Sequence, residues 1–272
     1  MSSSIKIERF LPSGWDDVLV GRSLIKSGPG EIGANPGYIF VERHYIETSG
    51  NFIKSNYPWL RGLGVHLLGG GGGGSAADTT GAGECIVGEG GSAGVYGYRF
   101  LTEADLEEVP EVAPYVVGEG GEGAPGAPGT RTGSYGGETI FQHTSETDFF
   151  DMLSVGGGVG GHANVSSDIP RVQTSQTGAS QGYNLDFYVQ AQVPEPRFVI
   201  SATVGYGGPG QNAPGPFGGK AGWGRLFTGA MTGIHAEGPG AGGGGANNPE
   251  NSSTVRAGGN GRDGLIVLDL YR

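Results

Sequence analysis

The chain has one cysteine in 272 residues. Cys85 therefore has no partner for an intrachain disulfide, and between Glu84 and Ile86 in a strand-like stretch it reads as a small buried residue rather than a nucleophile. Basic residues are sparse as well: 16 Lys and Arg stand against 27 Asp and Glu, a formal net charge of −11. No basic cluster exceeds two neighbours, which argues against nucleic acid or an anionic membrane surface as the main partner. No stretch approaches the ~18 apolar residues of a membrane span. Met1-Ser2-Ser3-Ser4-Ile5-Lys6 lacks the apolar region of a secretory signal, so synthesis in a cytoplasm is expected. Heptads are missing, and only one segment has a helical pattern. Thr102-Glu103-Ala104-Asp105-Leu106-Glu107-Glu108-Val109 predicts one or two helical turns, capped by Thr102 and stopped by Pro110.

Catalytic patterns are equally thin. The histidines (44, 66, 143, 162 and 235) are far apart, with neither HExxH nor zinc spacing. The Gly218-Gly219-Lys220-Ala221 stretch falls short of a P-loop, because Pro214 occupies the first glycine position and Ala221 that of Ser or Thr. No G-x-S-x-G elbow is present. Glu103, Asp105, Glu107 and Glu108 read as a solvated helical face. No enzyme, cofactor or metal is expected.

What the chain has is glycine, 59 residues of it, with 16 prolines. That content suits low complexity, yet 11 Tyr, 11 Phe and 3 Trp are unlike a disordered tract. Val65-His66-Leu67-Leu68 runs straight into six glycines, 69–74. Ordering six residues costs about 6–12 kcal/mol at roughly 1–2 kcal/mol each, so such a run is ordered only if its backbone packs on other backbone. The same strand-into-glycine pattern recurs at Val116-Val117, at Leu153-Ser154-Val155 and at Val204. Glycines at 120, 123, 126 and 129 fall on a three-residue spacing. Collagen would need many more triplets and three chains in register, whereas polyproline II geometry has the same three-residue turn within a single chain. The expected fold is all-β: a glycine-rich, jelly-roll-like β-sandwich with packed left-handed polyglycine II segments and little helix. Phe198-Val199-Ile200-Ser201-Ala202-Thr203-Val204 predicts one strand, and Gly264 to Tyr271 a closing one.

Residues 1–42 differ from the remainder and hold too little apolar surface to fold alone. They are expected to dock on the rest of the chain, on a second copy or on a larger assembly, with Ile5, Ile7, Phe10 and Trp15 as the attachment contacts. Residues 43–272 form the body, with exposed loops expected at 102–113, 162–197 and 205–262. Tyr135, Tyr183, Tyr206, Phe217, Trp223 and Phe227 are aromatics in polar or glycine surroundings. Such rings supply contact area at low entropic cost, which makes them candidate receptor contacts; the alternative is packing between glycine tracts.

The order of motifs resembles the glycine-rich domains of tailed-phage tail proteins. Thr48-Ser49-Gly50-Asn51-Phe52 followed by the six-glycine run is similar to that family's opening. Pro114-Tyr115-Val116-Val117-Gly118-Glu119-Gly120-Gly121 resembles its second hallmark, Gly136-Gly137-Glu138-Thr139-Ile140-Phe141 its third, residues 153–161 its fourth, and Gly261-Arg262-Asp263-Gly264-Leu265-Ile266-Val267 its last strand. The resemblance covers 44–272, departs from the pattern at 102–113 and 162–197, and leaves 1–42 unmatched. It implies a virion tail component, a fibre or tip adhesin that binds a host surface receptor, polysaccharide or outer-membrane protein. It also implies other tail proteins and further copies of the chain, three around a tail axis, as partners. A purely structural tail or baseplate protein and a polysaccharide-degrading tail enzyme are the alternatives.

Overall fold

The computed structural model describes residues 37–129, 132–142, 152–162, 181–190, 196–223 and 229–272, and by backbone alone the strands within 16–27, 163–166, 171–173 and 226–227. Alternating apolar residues build a β-sandwich. One sheet has the strand order Phe187–Val189, Tyr96–Leu101, Gly62–Leu68, Leu265–Tyr271, Phe40–Ile46, and the other Gly182–Tyr183, Leu153–Val155, Thr139–Phe141, Val112–Val116, Gly50–Ile53. All pairings are antiparallel. Leu63, Val65 and Leu67 alternate inward with Ile266, Leu268 and Leu270, and they meet Phe52, Phe141, Leu153 and Val155 from the other sheet. These buried faces are the core, and they follow from the period-two pattern of each strand.

At one end the sandwich strands do not stop. Gly62–Leu68 continues into residues 69–75, which become the central helix of a polyglycine array. Its amides donate in strict rotation: Gly69 to Val95 and Gly72 to Ser92, Gly70 to Gly137 and Gly73 to Ser134, Gly71 to Arg262 and Gly74 to Gly259. Its carbonyls accept in the same rotation, from Gly158 and Gly161, from Gly121 and Ala124, and from Gly243 and Ala246. Each partner segment returns every third residue, so the helix has three residues per turn. None of glycines 69–74 has positive φ, which makes the helix the left-handed polyproline II type. Six segments surround it, and the direction of the bonds makes them alternately antiparallel and parallel to it. Adjacent segments of the ring are bonded as well, for example Gly136 to Gly158, Ser134 to Glu122, Gly261 to Gly121 and Gly91 to Gly243.

A helix ringed by six others has no outward face, which is why positions 69–74 are all glycine. An added Cβ would meet neighbouring backbone at every one of them. Peripheral helices keep one outward position per turn. In the 118–124 segment Glu119 and Glu122 are exposed between buried Gly118, Gly121 and Ala124. Where that segment lacks a backbone acceptor, side chains supply one: Asp263 Oδ1 accepts from the Gly120 amide at 2.7 Å and Asn260 Oδ1 from Gly123 at 2.9 Å. Further segments extend the array outward, with Gly208 donating to Gly88, Gly210 to Gly222 and Ala236 to Asn260.

The array joins the sandwich to smaller sheets at its other end. Ala163–Ser166, Cys85–Gly88 and Asn247–Asn248 form one; Arg171–Gln173, Arg197–Ser201, Val204–Tyr206 and Leu226–Phe227 form the next. Asp16–Val20 and Ser23–Ser27 pair as a separate hairpin.

Four expectations require correction. Residues 102–113 hold the expected short helix, Glu103–Glu108, but the stretch is not simply exposed, because Leu106 and Val109 are buried in the sandwich core. Residues 205–262 are no single exposed loop: Ala241 and Ala246 are buried within the array. The strand expected at 198–204 is a hairpin, broken between Arg197–Ser201 and Val204–Tyr206 by a turn at Ala202 and Thr203. The boundary at residue 42 falls inside the edge strand Phe40–Ile46.

Candidate functional site

Period three decides which side chains the array shows to solvent. Tyr206, Pro209 and Asn212 lie three apart on one outer segment, and Lys220 and Trp223 three apart on the segment bonded to it. They converge on a groove of about 380 Å³ floored by Gly210 and Gly222. Tyr206 is held in place by stacking on Phe198, with ring centroids 4.8 Å apart and planes 11° apart. Asn212 Oδ1 accepts from the Ala221 amide at 2.9 Å, tying the two segments together. Trp223 is 60% exposed on the groove wall. Two of the six sequence-predicted aromatics, Tyr206 and Trp223, therefore share one site.

Tyr135 and Tyr183 meet elsewhere, at the junction of array and sandwich. With Glu138, Ser154 and Gln181 they line a second groove of about 450 Å³. Tyr183 Oη donates to Gln181 Oε1 at 3.2 Å, and Tyr135 is 67% exposed. Phe217 joins neither groove. It packs on the outer face of the first sheet, 5.1 Å above the Arg43 guanidinium and edge-on to His66 and Tyr45. Phe227 lies in the strand Leu226–Phe227, of which only the backbone is described. Ile5, Ile7, Phe10 and Trp15 lie outside the described residues.

Beneath Phe217 lies a polar cluster on the outer face of the sheet. Arg43 donates from Nε to Asp269 Oδ1 at 2.5 Å and from Nη2 to Oδ2 at 2.7 Å. His66 bridges Tyr96 Oη, 2.7 Å from Nδ1, and Asp269 Oδ2, 3.4 Å from Nε2. A carboxylate only accepts, so Nε2 carries the proton toward Asp269 and Tyr96 donates to Nδ1. Burial pushes the Asp269 carboxyl up, but the bonds from Arg43 and His66 outweigh it and hold the group at about 2. Burial drives the Tyr96 hydroxyl up to about 12. His66 is thus a satisfied strand residue, and the cluster locks strands Phe40–Ile46, Gly62–Leu68, Tyr96–Leu101 and Leu265–Tyr271 together.

Cys85 is fully buried, and burial pushes its thiol up to about 11, away from the reactive thiolate. His235 accepts from the Asn260 amide at 2.8 Å, and His162 Nδ1 lies 3.4 Å from Thr132 Oγ1. Among the described residues no group of His, Cys, Asp or Glu is placed to hold a metal ion, and no helix is long and apolar enough to cross a membrane.

Sequence reasoning missed Asn212 and Lys220. Lys220 drew notice only as part of a failed P-loop. The signal was present in the three-residue spacings 206–209–212 and 220–223, which mark one face of a polyproline II helix.

No curated protein matches the chain. The family model described as a glycine-rich domain matches residues 47–271, nearly the whole body of strands and array. This chain belongs to that glycine-rich domain family.

Proposed function

We propose that this chain is a non-enzymatic structural protein of a tailed-phage virion, placed at a fibre or tail tip, where it binds a receptor on the host surface. The observation that carries the reading is its two-ended build. The edge strand Phe40–Ile46, next in the chain to residues 1–36, begins beside Tyr271 and Gly62, at the sandwich end away from the array. Ile39, Phe40, Val41 and Tyr45 are exposed along that edge, which among the described residues is an open strand of the kind that pairs with another chain. At the opposite end the array, roughly 19 Å long for six steps of ~3.1 Å, carries the small sheets and their loops. Such a rod holds contact loops away from an attachment end with little internal slack. Attachment through residues 1–42 to other tail proteins, and assembly as a homotrimer that multiplies weak contacts, complete the proposal.

The test is adsorption of the purified full-length protein to bacteria, beside a version lacking residues 1–42, together with incorporation of both into tails. Saturable adsorption by both, with incorporation only of the full-length chain, is the expected result. Incorporation without adsorption by either would overturn the receptor role and leave a purely architectural tail protein. Shortening of surface polysaccharide by the protein would overturn the non-enzymatic reading.

A further inference from the structure

The Tyr206–Trp223 groove has features that select a ligand class. Its floor is polyglycine backbone at Gly210 and Gly222, and its walls are two aromatic rings with Asn212 and Lys220 between them. Such a floor is flat and cannot close around a ligand, because the segments are fixed by Gly210 donating to Gly222 and Gly222 to Gly242. The Tyr206 ring is fixed by stacking on Phe198 and forms a rigid wall, while the Trp223 indole, 60% exposed, offers the face on which a ligand stacks. Rings of this kind suit a ligand with an apolar face and polar edges. A pyranose has both: its axial C–H groups pack on the ring, and its equatorial hydroxyls reach the amide of Asn212 and the backbone. Lys220 is the charged side chain among the lining residues, and in a chain of net charge −11 it gives this groove a local preference for one anionic group. A nucleic acid, with a charge on every unit, would be repelled by the surrounding surface. A volume of about 380 Å³ lies at the lower end of small-ligand sites and suits two or three sugar units.

We infer that the groove between Tyr206 and Trp223 binds an acidic oligosaccharide, with a pyranose stacked on Trp223 and a carboxylate or phosphate substituent at Lys220. The inference rests on the surface-binding role proposed above and names the chemistry of the receptor. Capsule and lipopolysaccharide are its two sources.

The test uses the full-length protein and isothermal calorimetry with uronate-, sialate- and phosphate-bearing oligosaccharides, beside neutral maltotriose and chitotriose. At least one acidic probe binds, Trp223→Ala weakens it by about tenfold or more, as expected for an exposed aromatic anchor, and Lys220→Gln removes the preference over neutral probes. Trp223 and Lys220 point to solvent, so both variants keep the wild-type melting temperature. Failure of every probe to bind, or wild-type affinity in Trp223→Ala, overturns the inference. Adsorption to strains lacking capsule, or lacking the outer saccharides of lipopolysaccharide, separates the two sources. Adsorption to cells that Trp223→Ala leaves intact would sink the groove and spare the receptor role. Saccharide binding without any adsorption would sink the receptor role and spare the groove.

Discussion

A methyl group on Gly72 would sit 2.5 Å from the carbonyl carbon of Val159. Backbone occupies the space a side chain would need, and both segments are held by their bonds to a third, at residues 89–95. Neither can move without breaking bonds on its other sides. Gly72→Ala is therefore expected to destabilise by at least the ~1–3 kcal/mol typical of an overpacked interior, and by more if the array opens. Gly37→Ala, where nothing lies within 4 Å, leaves the melting temperature unchanged. Thermal unfolding of the two variants checks the pair. Equal melting temperatures would mean the array is looser than its bonding implies.

Acid should act on Asp269. Its carboxyl is held at about 2 in the folded protein, against about 3.9 in an unfolded chain. A depressed folded value adds stability that is complete above the unfolded value and is lost as pH falls toward the folded one. The shift corresponds to about 2–3 kcal/mol at neutral pH. Asp269→Asn is expected to be less stable than wild type by about that amount at pH 7, with the gap closing as pH falls from about 4 to about 2. Denaturant titrations across this range measure it. A gap that persists unchanged at pH 2 would rule out the ion pair as its origin.

The short helix Glu103–Glu108 depends on its first turn. Thr102 Oγ1 accepts from the Asp105 amide at 3.3 Å, and Asp105 Oδ2 accepts from the Thr102 amide at 2.7 Å. Thr102→Ala removes the Oγ1 half of this cap, leaving the Asp105 amide without its acceptor, and should cost about 1 kcal/mol. Leu106→Ala, which empties a buried site against the core, should cost about 2–5 kcal/mol. A Thr102 variant as damaged as the Leu106 variant would show that the cap holds more than the helix.

Much of this architecture can be read from the residues, and the remainder has a physical reason for being hidden. The period-two alternation of Leu63, Val65 and Leu67 identifies a strand with one buried face. The unbroken glycines 69–74 identify a backbone with no outward face, and Glu119 and Glu122 identify one that has such a face every third residue. The helix at 103–108 is visible in its cap. Which segments become neighbours is not visible, because glycine tracts carry no side chains to specify a partner. Gly70 bonds to Gly137 and Gly158 through groups that every residue has. The groove shares that obscurity: Tyr206 and Trp223 stand out as aromatics, but their meeting depends on the pairing of two such tracts. Phe217 looked alike in sequence and packs instead over Arg43 and His66.

Arg197 gives a way to ask whether the two ends of the molecule unfold separately. Its side chain is buried where the array meets the small sheets. Nη1 donates to Glu89 Oε2 at 3.3 Å and to the His162 carbonyl, and the same Glu89 oxygen accepts from the His162 amide at 3.2 Å. Glu89 and His162 sit at this end of two adjacent array segments, so Arg197 fastens those segments to the hairpin Arg197–Ser201 and Val204–Tyr206. Arg197→Met takes the guanidinium away from the buried Glu89 carboxylate, and removing one partner of such a pair costs about 3–5 kcal/mol. The sandwich core, Leu63 to Leu67 with Ile266 to Leu270, touches none of these groups. Hydrogen exchange is therefore expected to lose protection at 85–89 and 197–206 while 63–68 and 265–270 keep theirs. Adding Glu89→Gln should restore part of the loss, because the buried carboxylate that the guanidinium faced goes with it. Uniform loss across both ends would show instead that the polyglycine array couples sandwich and small sheets into one cooperative unit.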